Sequence, residues 1–168
     1  LGINITLKRP FAKLRVITTD MEELNDLGIE PKTATVEYTV AHYNAFNAFA
    51  GKVIGDSKNR NIKHENFDIK VYTDNVDDES KVLFTDYFFA ADNDEVINFT
   101  FDVYDQNNEL IKSNAFTTDI PVKRNNLTTI KGNVLTDGNN ITVEIKPDFA
   151  NGTDWDPEED QFDVEVWD

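Results

Sequence analysis

Two histidines, His42 and His64, are the only side chains in this sequence able to act as imidazole bases or ligands. His42 follows a strand-like run beside Tyr43, and His64 sits in a polar stretch. Neither suggests a Ser, Asp and His arrangement of triad type, so both read as surface or core-rim residues. Carboxylates number 32, enough to produce chance pairs at glycosidase-like separations and to empty such pairs of meaning. A glycosidase also wants a cleft lined with aromatics, whereas Trp155 and Trp167 both fall in an acidic C-terminal region. The reading is therefore non-enzymatic, with no catalytic residue and no cofactor.

Three acidic runs offer clustered oxygen ligands: Asp74 to Glu79, Asp92 to Glu95, and Asp154 with Asp156. None follows the twelve-residue calcium loop with its central Gly and terminal Glu, so they read as solvated turns and no metal site is assigned. Asn4, Asn98, Asn126, Asn140 and Asn151 each open an Asn-x-Thr triplet. These read as by-products of an Asn- and Thr-rich β composition, although in a eukaryotic secreted protein they would be glycan acceptors. Tyr43, Phe46 and Phe49 could line a sugar-binding surface, but Ala45, Ala48 and Ala50 between them suit close core packing better. Lys123 and Arg124 form a basic spot, read either as a solvated corner or as a docking point for a neighbour's acidic linker, such as 156–160.

The elements that position these residues follow from composition and period. With 168 residues the chain is most simply one domain, large enough for a real core. Twelve Phe, with Val, Ile and Thr, favour pleated surfaces over helices. A net charge of −16 argues against nucleic acid and anionic membranes as partners. There are no cysteines for disulfides or thiolate sites, and no apolar run of about 18 residues to span a bilayer. The chain opens at Leu1 in a strand-like run without Met, which reads as a piece of a longer precursor.

Residues 11–18 predict a strand with Ala12, Leu14 and Val16 on one face. A helix of about two turns follows, with Thr19 and Glu22 at capping-box spacing and Met21, Leu24 and Leu27 on one face. Residues 33–40 alternate, with Ala34, Val36, Tyr38 and Val40 inward. The run AHYNAFNAFAGKVIG reads as a packed loop or short strand closing one end of the core, and 55–66 as a polar loop. Further strands are predicted at 67–73, 81–89, 95–104, 109–117, 127–135 and 140–146. Hairpin turns are predicted at 105–108 and at Asp137-Gly138, the latter of the primed type. The pattern predicts a mostly β protein, an antiparallel Greek-key β-sandwich with one short helix after the first main strand.

The C-terminus differs in kind. Residues 147–160 are acidic and hold Pro and Gly, as a linker does, and QFDVEVWD beyond them alternates again. Residues 1–153 thus read as a single β-sandwich domain, and 154–168 as an acidic linker and C-terminal strand. Phe162, Val164 and Val166 form that strand's apolar face and need a partner sheet. Either the strand folds back into its own domain, or it is donated to another subunit.

KRPFAKLRVITTD with its short helix, YNAFNAFAG, TDYFFAADNDEVINFTFDVYD, IPVKRNNLTTIKGNVLT and VEIKPDFANGTDWD occur in this order across residues 7–156. That ordered set resembles the fimbrillins, the pilin-like surface lipoproteins of the Bacteroidales, in the C-terminal portion of their precursors. The resemblance implies a transthyretin-like sandwich and a structural or adhesive fimbrial subunit at the cell surface and outer membrane. It implies assembly by β-strand exchange through a sheet edge with other fimbrial subunits, with host or bacterial surface ligands as further partners. Membrane attachment would come only through a lipid anchor on a preceding N-terminal part. The alternative is a carbohydrate-binding cell-surface module that never polymerises, using aromatics such as Trp155 or Tyr43.

Overall fold

A computed structural model describes residues 8–39, 43–55, 62–69, 72–73 and 80–147. Its elements are β1 (Phe11–Thr18), α1 (Met21–Asp26), β2 (Pro31–Tyr38), β3 (Ala45–Asn47), β4 (Lys52–Ile54), β5 (Ile62–Asp68), β6 (Tyr72–Thr73), β7 (Lys81–Phe89), β8 (Glu95–Asp105), β9 (Leu110–Val122), β10 (Asn126–Gly132) and β11 (Thr142–Pro147). One sheet runs β11-β10-β1-β7-β6, a second runs β5-β2-β8-β9, and β3 pairs with β4 in a small hairpin. The protein is mostly β, with its one short helix directly after the first strand, as the periodicity predicted.

Strand period two builds the core. On β8, Ile97, Phe99, Phe101 and Val103 are buried on one face. They join Ala34, Val36 and Tyr38 of β2 and Ala12, Leu14, Val16, Phe84 and Phe88 of the other sheet in one cluster. The rings interlock: Phe99 lies 4.8 Å from Phe116, Tyr38 lies 5.5 Å from Phe99, and Phe84 lies 5.9 Å from Phe101. Each buried Phe contributes roughly 1.5–3 kcal/mol of apolar transfer, so this aromatic layer dominates cohesion.

One strand pair departs from the antiparallel rule: β1 and β10 run parallel, from Lys13 opposite Leu127 to Thr18 opposite Gly132. Just past this pair the two segments are tied by Asp20. Its carboxylate accepts the Leu135 amide at 3.1 Å and the Thr136 amide and hydroxyl at 2.8 Å each, and the Thr18 hydroxyl also donates to it. Asp20 is buried, as are Val134 and Leu135 of the loop it holds. The motifs ITTD and GNVLT are thus two halves of one joint.

That joint changes the helix start. The spacing of Thr19 and Glu22 predicted a capping box, but the N-cap position is Asp20 and carries no side-chain cap bond. Thr19 bonds Asn133 across the joint at 2.8 Å instead. Met21 and Leu24 are buried as expected, whereas Leu27 is exposed. Gly28, at φ 71, then reverses the chain, its amide bonding the Asn25 carbonyl.

Other boundaries shift for local reasons. The strand predicted at 67–73 divides between the end of β5 and β6 at Tyr72–Thr73, and β5 begins at Ile62 inside the stretch read as a polar loop. β5 is an exposed edge strand with a break at Asn66, φ 50, so no apolar alternation marked it. β10 stops at Gly132 where the pattern predicted a strand to 135, because Val134 and Leu135 are buried from a loop. The tight primed turn predicted at Asp137-Gly138 is part of that loop, closed by Asn133 and Asn139 backbone bonds. The turn at 105–108 forms as predicted, with Asn108 at φ 62. Val40 lies outside the described residues.

Candidate functional site: sheet edges and the seam between β5 and β7

Among the described residues, β9, β5 and β11 each have a hydrogen-bonded neighbour on one side only. β9 is the longest strand among the described residues. From Lys112 to Phe116 it follows β8 residue for residue, with Ala115 exposed and Asn114 and Phe116 buried, while a register shift at Ile111 precedes that run. Beyond Phe116 the register shifts, so that Thr117, Thr118 and Asp119 bulge before Ile120 rejoins opposite Ile97. Such a bulge, with Pro121 next to it, blunts that half of the edge against pairing. The run from Lys112 to Phe116 keeps the regular, alternating form that an added strand can extend.

A seam runs between β5 and the neighbouring strand of the other sheet, β7. Its floor holds Tyr38, Asp86 and His64. The Tyr38 hydroxyl donates to Asp86 Oδ2 at 2.7 Å, His64 Nε2 lies 3.5 Å from the same oxygen, and the Tyr87 amide donates to Asp86 Oδ1 at 2.8 Å. A cavity of about 270 Å³ opens here, lined by His64, Phe67, Asp68, Leu83, Phe84, Thr85 and Asp86. Burial raises the Asp86 carboxyl above the usual carboxylate range, opposed by its bond from Tyr38 and by His64. Tyr38 is pushed up further, by burial first and then by the Asp86 charge.

The sign of this perturbation makes a prediction. Asp86 holds its proton more tightly folded than unfolded, so the folded form gains relative stability as pH falls. As pH rises from about 4, the usual carboxyl value, through the raised folded value, stability should fall and then level off. Asp86→Asn should flatten that part of the pH–stability curve, read as denaturant midpoints between acid and neutral pH. An unchanged slope would remove Asp86 as its source.

The sequence-predicted site residues distribute unevenly. His64 enters the seam; His42 lies outside the described residues. The acidic runs at Asp74 to Glu79 and Asp154 to Asp156 are also outside them. The third run is described and is engaged in holding the fold: Asp94 pairs with Lys123 at 2.9 Å, Asp92 with Arg124 at 3.2 Å, and Glu95 accepts the Tyr43 hydroxyl at 2.5 Å. Among the described residues no three His, Cys, Asp or Glu side chains gather as a metal site would require.

Arg124 is not a solvated corner. Its guanidinium is nearly buried, donates to the backbone carbonyls of Arg9 and Gly51 at 2.9 Å, and lies 4.7 Å over the Phe46 ring. It clamps the β3–β4 hairpin onto the sandwich. Phe46 stacks on Phe89 at 6.2 Å, Tyr43 is half-buried, and Phe49 is fully exposed, so the aromatic run divides between a packed base and an open tip. Asn98 lies in β8, Asn126 in β10 and Asn140 in the β10–β11 loop at φ 56, while Asn4 and Asn151 lie outside the described residues. So do Trp155, Trp167, Phe162, Val164 and Val166, along with the boundary at 153.

Sequence reasoning overlooked Asp86 and Asp20. Asp86 was legible: it replaces an apolar residue between Phe84 and Phe88 on the inward face of β7. Asp20 gave no such sign, because its partners Leu135 and Thr136 lie 115 and 116 positions away.

No curated protein and no solved structure matches this chain. One family pattern does, DUF6562, over residues 1–165. The chain belongs to DUF6562, a family of unknown function.

Proposed function

We propose that this protein is a non-enzymatic structural or adhesive subunit of a bacterial surface fimbria, joined to its neighbours by β-strand exchange. The observation that carries the reading is the regular, alternating β9 edge from Lys112 to Phe116, with β8 as its one strand neighbour among the described residues. An edge of this kind offers backbone groups to an incoming strand, and alternate side chains then set specificity. The tail supplies a matching donor pattern in Phe162, Val164 and Val166. The resemblance of the ordered motifs to fimbrillins supplies the biological setting, at the outer membrane and on the cell surface.

The experiment is deletion of 161–168. The shortened chain is expected to fold as a monomer and to lose assembly, read by light scattering and electron microscopy of the polymerising full-length subunit. Continued polymerisation of the shortened chain would overturn the C-terminal donor. If neither form polymerises and a glycan array gives saturable binding lost on Phe49→Ala, the carbohydrate-binding reading replaces this one. Phe49, exposed at the hairpin tip, is the aromatic that reading would use.

A further inference from the structure

The tip of the β3–β4 hairpin carries a side chain that burial does not account for. Phe49 is 103% exposed, and of the large apolar side chains exposed among the described residues it is the one aromatic. A single exposed ring on a loose loop would need no explanation. This ring is held out on a built support. Asn47 Oδ1 accepts the Ala50 amide at 2.9 Å across the tip, and Gly51, at φ 65, turns the chain back into β4. Below the tip, Phe46 stacks on Phe89, and Arg124 covers Phe46 while donating to the Gly51 carbonyl. Little conformational freedom is left to lose when such a ring is buried.

The seam supplies a place of matching size and character. Its cavity of about 270 Å³ is walled by Phe67, Leu83 and Phe84, with the Phe67 and Phe84 rings 5.3 Å apart. An apolar cavity of about 150 Å³ already takes a benzene molecule, so a phenyl ring has room here. Aromatic walls also favour an aromatic guest over an aliphatic one. In its own molecule Phe49 stays in solvent, because its hairpin is clamped to Phe89.

Charge selects a second copy of this chain as the source of that ring. The cavity is bordered by the Asp68 and Asp86 carboxylates, and a rim of this sign repels an acidic loop. Within a chain of net charge −16, residues 43–55 hold exposed Lys52 and no Asp or Glu. Lys52 opens β4 opposite Asn47, three positions from Phe49. A ring seated in the cavity therefore brings an ammonium group to exposed Asp68 at the mouth.

We propose that the Phe49 tip of one copy docks in the β5–β7 seam of a second copy, the phenyl ring against Phe67 and Phe84 and Lys52 against Asp68. The contact is a knob entering a hole elsewhere on the same kind of molecule. It uses no exchanged strand and no residue of the β9 edge, so it does not depend on the fimbrial reading. Within that reading, it is a second joint between subunits. One ring and one ion pair bury far less than the roughly 1,200 Å² of a standard interface, so the association is weak and fast.

Nuclear magnetic resonance on mixed chains tests this. Isotope-labelled full-length Phe49→Ala keeps the cavity and lacks the ring, and unlabelled wild-type chain is added to it. The amide signals of Phe67, Leu83 and Phe84 are expected to shift saturably. Unlabelled Phe49→Ala, added instead, should bind the seam at least tenfold more weakly. Equal shifts from both added chains, or none from the wild type, would sink the docking. Charge reversal gives the second arm. Lys52→Asp in the added chain should weaken binding at least threefold, and Asp68→Lys in the labelled chain should restore it. A loss that the reversed partner does not restore rejects the proposed seating. All three substitutions fall on exposed side chains, so the fold is expected to survive them. Strand exchange is read separately from the β9 amides of Lys112 to Phe116, which it would move with either added chain. Failure of the fimbrial reading therefore leaves the seam outcome unaffected.

Discussion

Asp20→Ala is expected to lower the unfolding free energy by about 3 kcal/mol, because hydrogen bonds to a charged acceptor are lost and buried donors are stranded. The affected groups are the amides of Leu135 and Thr136 and the hydroxyls of Thr18 and Thr136. Water cannot easily replace the carboxylate, since Asp20, Thr18 and Leu135 are all buried. The measurement is a denaturant midpoint at unchanged slope, which separates lost stability from a changed unfolded state. Asp20→Asn keeps one acceptor oxygen and should recover roughly half of the loss. A shift below about 0.5 kcal/mol for the alanine variant, the usual range for surface substitutions, would show that the joint is not what holds these segments together.

Gly132→Ala should cost a further large amount at the same joint by a different mechanism. A Cβ at Gly132 would come within 2.7 Å of the Asn140 carbonyl oxygen and the Ile141 Cα, and 2.9 Å of the Asn140 carbonyl carbon. These are backbone atoms and cannot rotate aside, so the returning loop must move as a unit. Overpacking of this kind costs about 1–3 kcal/mol, and the upper end applies where backbone has to shift. The backbone of Gly132 is not in a left-handed conformation, so space, and not torsion, requires glycine here. Thermal or denaturant unfolding of the variant checks the cost. Because Asp20 and Gly132 hold opposite ends of one loop, the double variant should lose less than the two single losses combined.

How much of this was legible in the sequence depended on whether a residue's partners were near it. β8 announced itself because Ile97, Phe99, Phe101 and Val103 alternate in full view and all four are buried. The helix was legible in extent through Gly28, but not in its cap, because Thr19 and Asp20 are engaged by the loop at 133–136. β5 was illegible for the opposite reason: an edge strand with exposed Lys63, His64 and Glu65 carries no burial pattern to read. The basic corner misled because Arg124 spends its charge on the Arg9 and Gly51 carbonyls, contacts that composition cannot reveal. In the seam, the one legible sign was an aspartate where alternation called for an apolar residue. Its partners Tyr38 and His64 come from β2 and β5, brought near only when the two sheets close.

The parallel pairing of β1 with β10 also sets a timetable. β8 and β9 are joined by a short turn and can pair as soon as both have been synthesised. The middle of the other sheet must wait, since Asp20 and Leu135 are 115 positions apart and nothing local substitutes for β10 beside β1. Closing so long a loop before its contacts repay the lost entropy slows folding. Until then β1 presents Leu14, Val16 and a bare backbone edge on the β10 side. A nascent chain therefore passes through an interval in which its first strand is open to the wrong neighbour, and the interval ends only when residues 126–136 arrive.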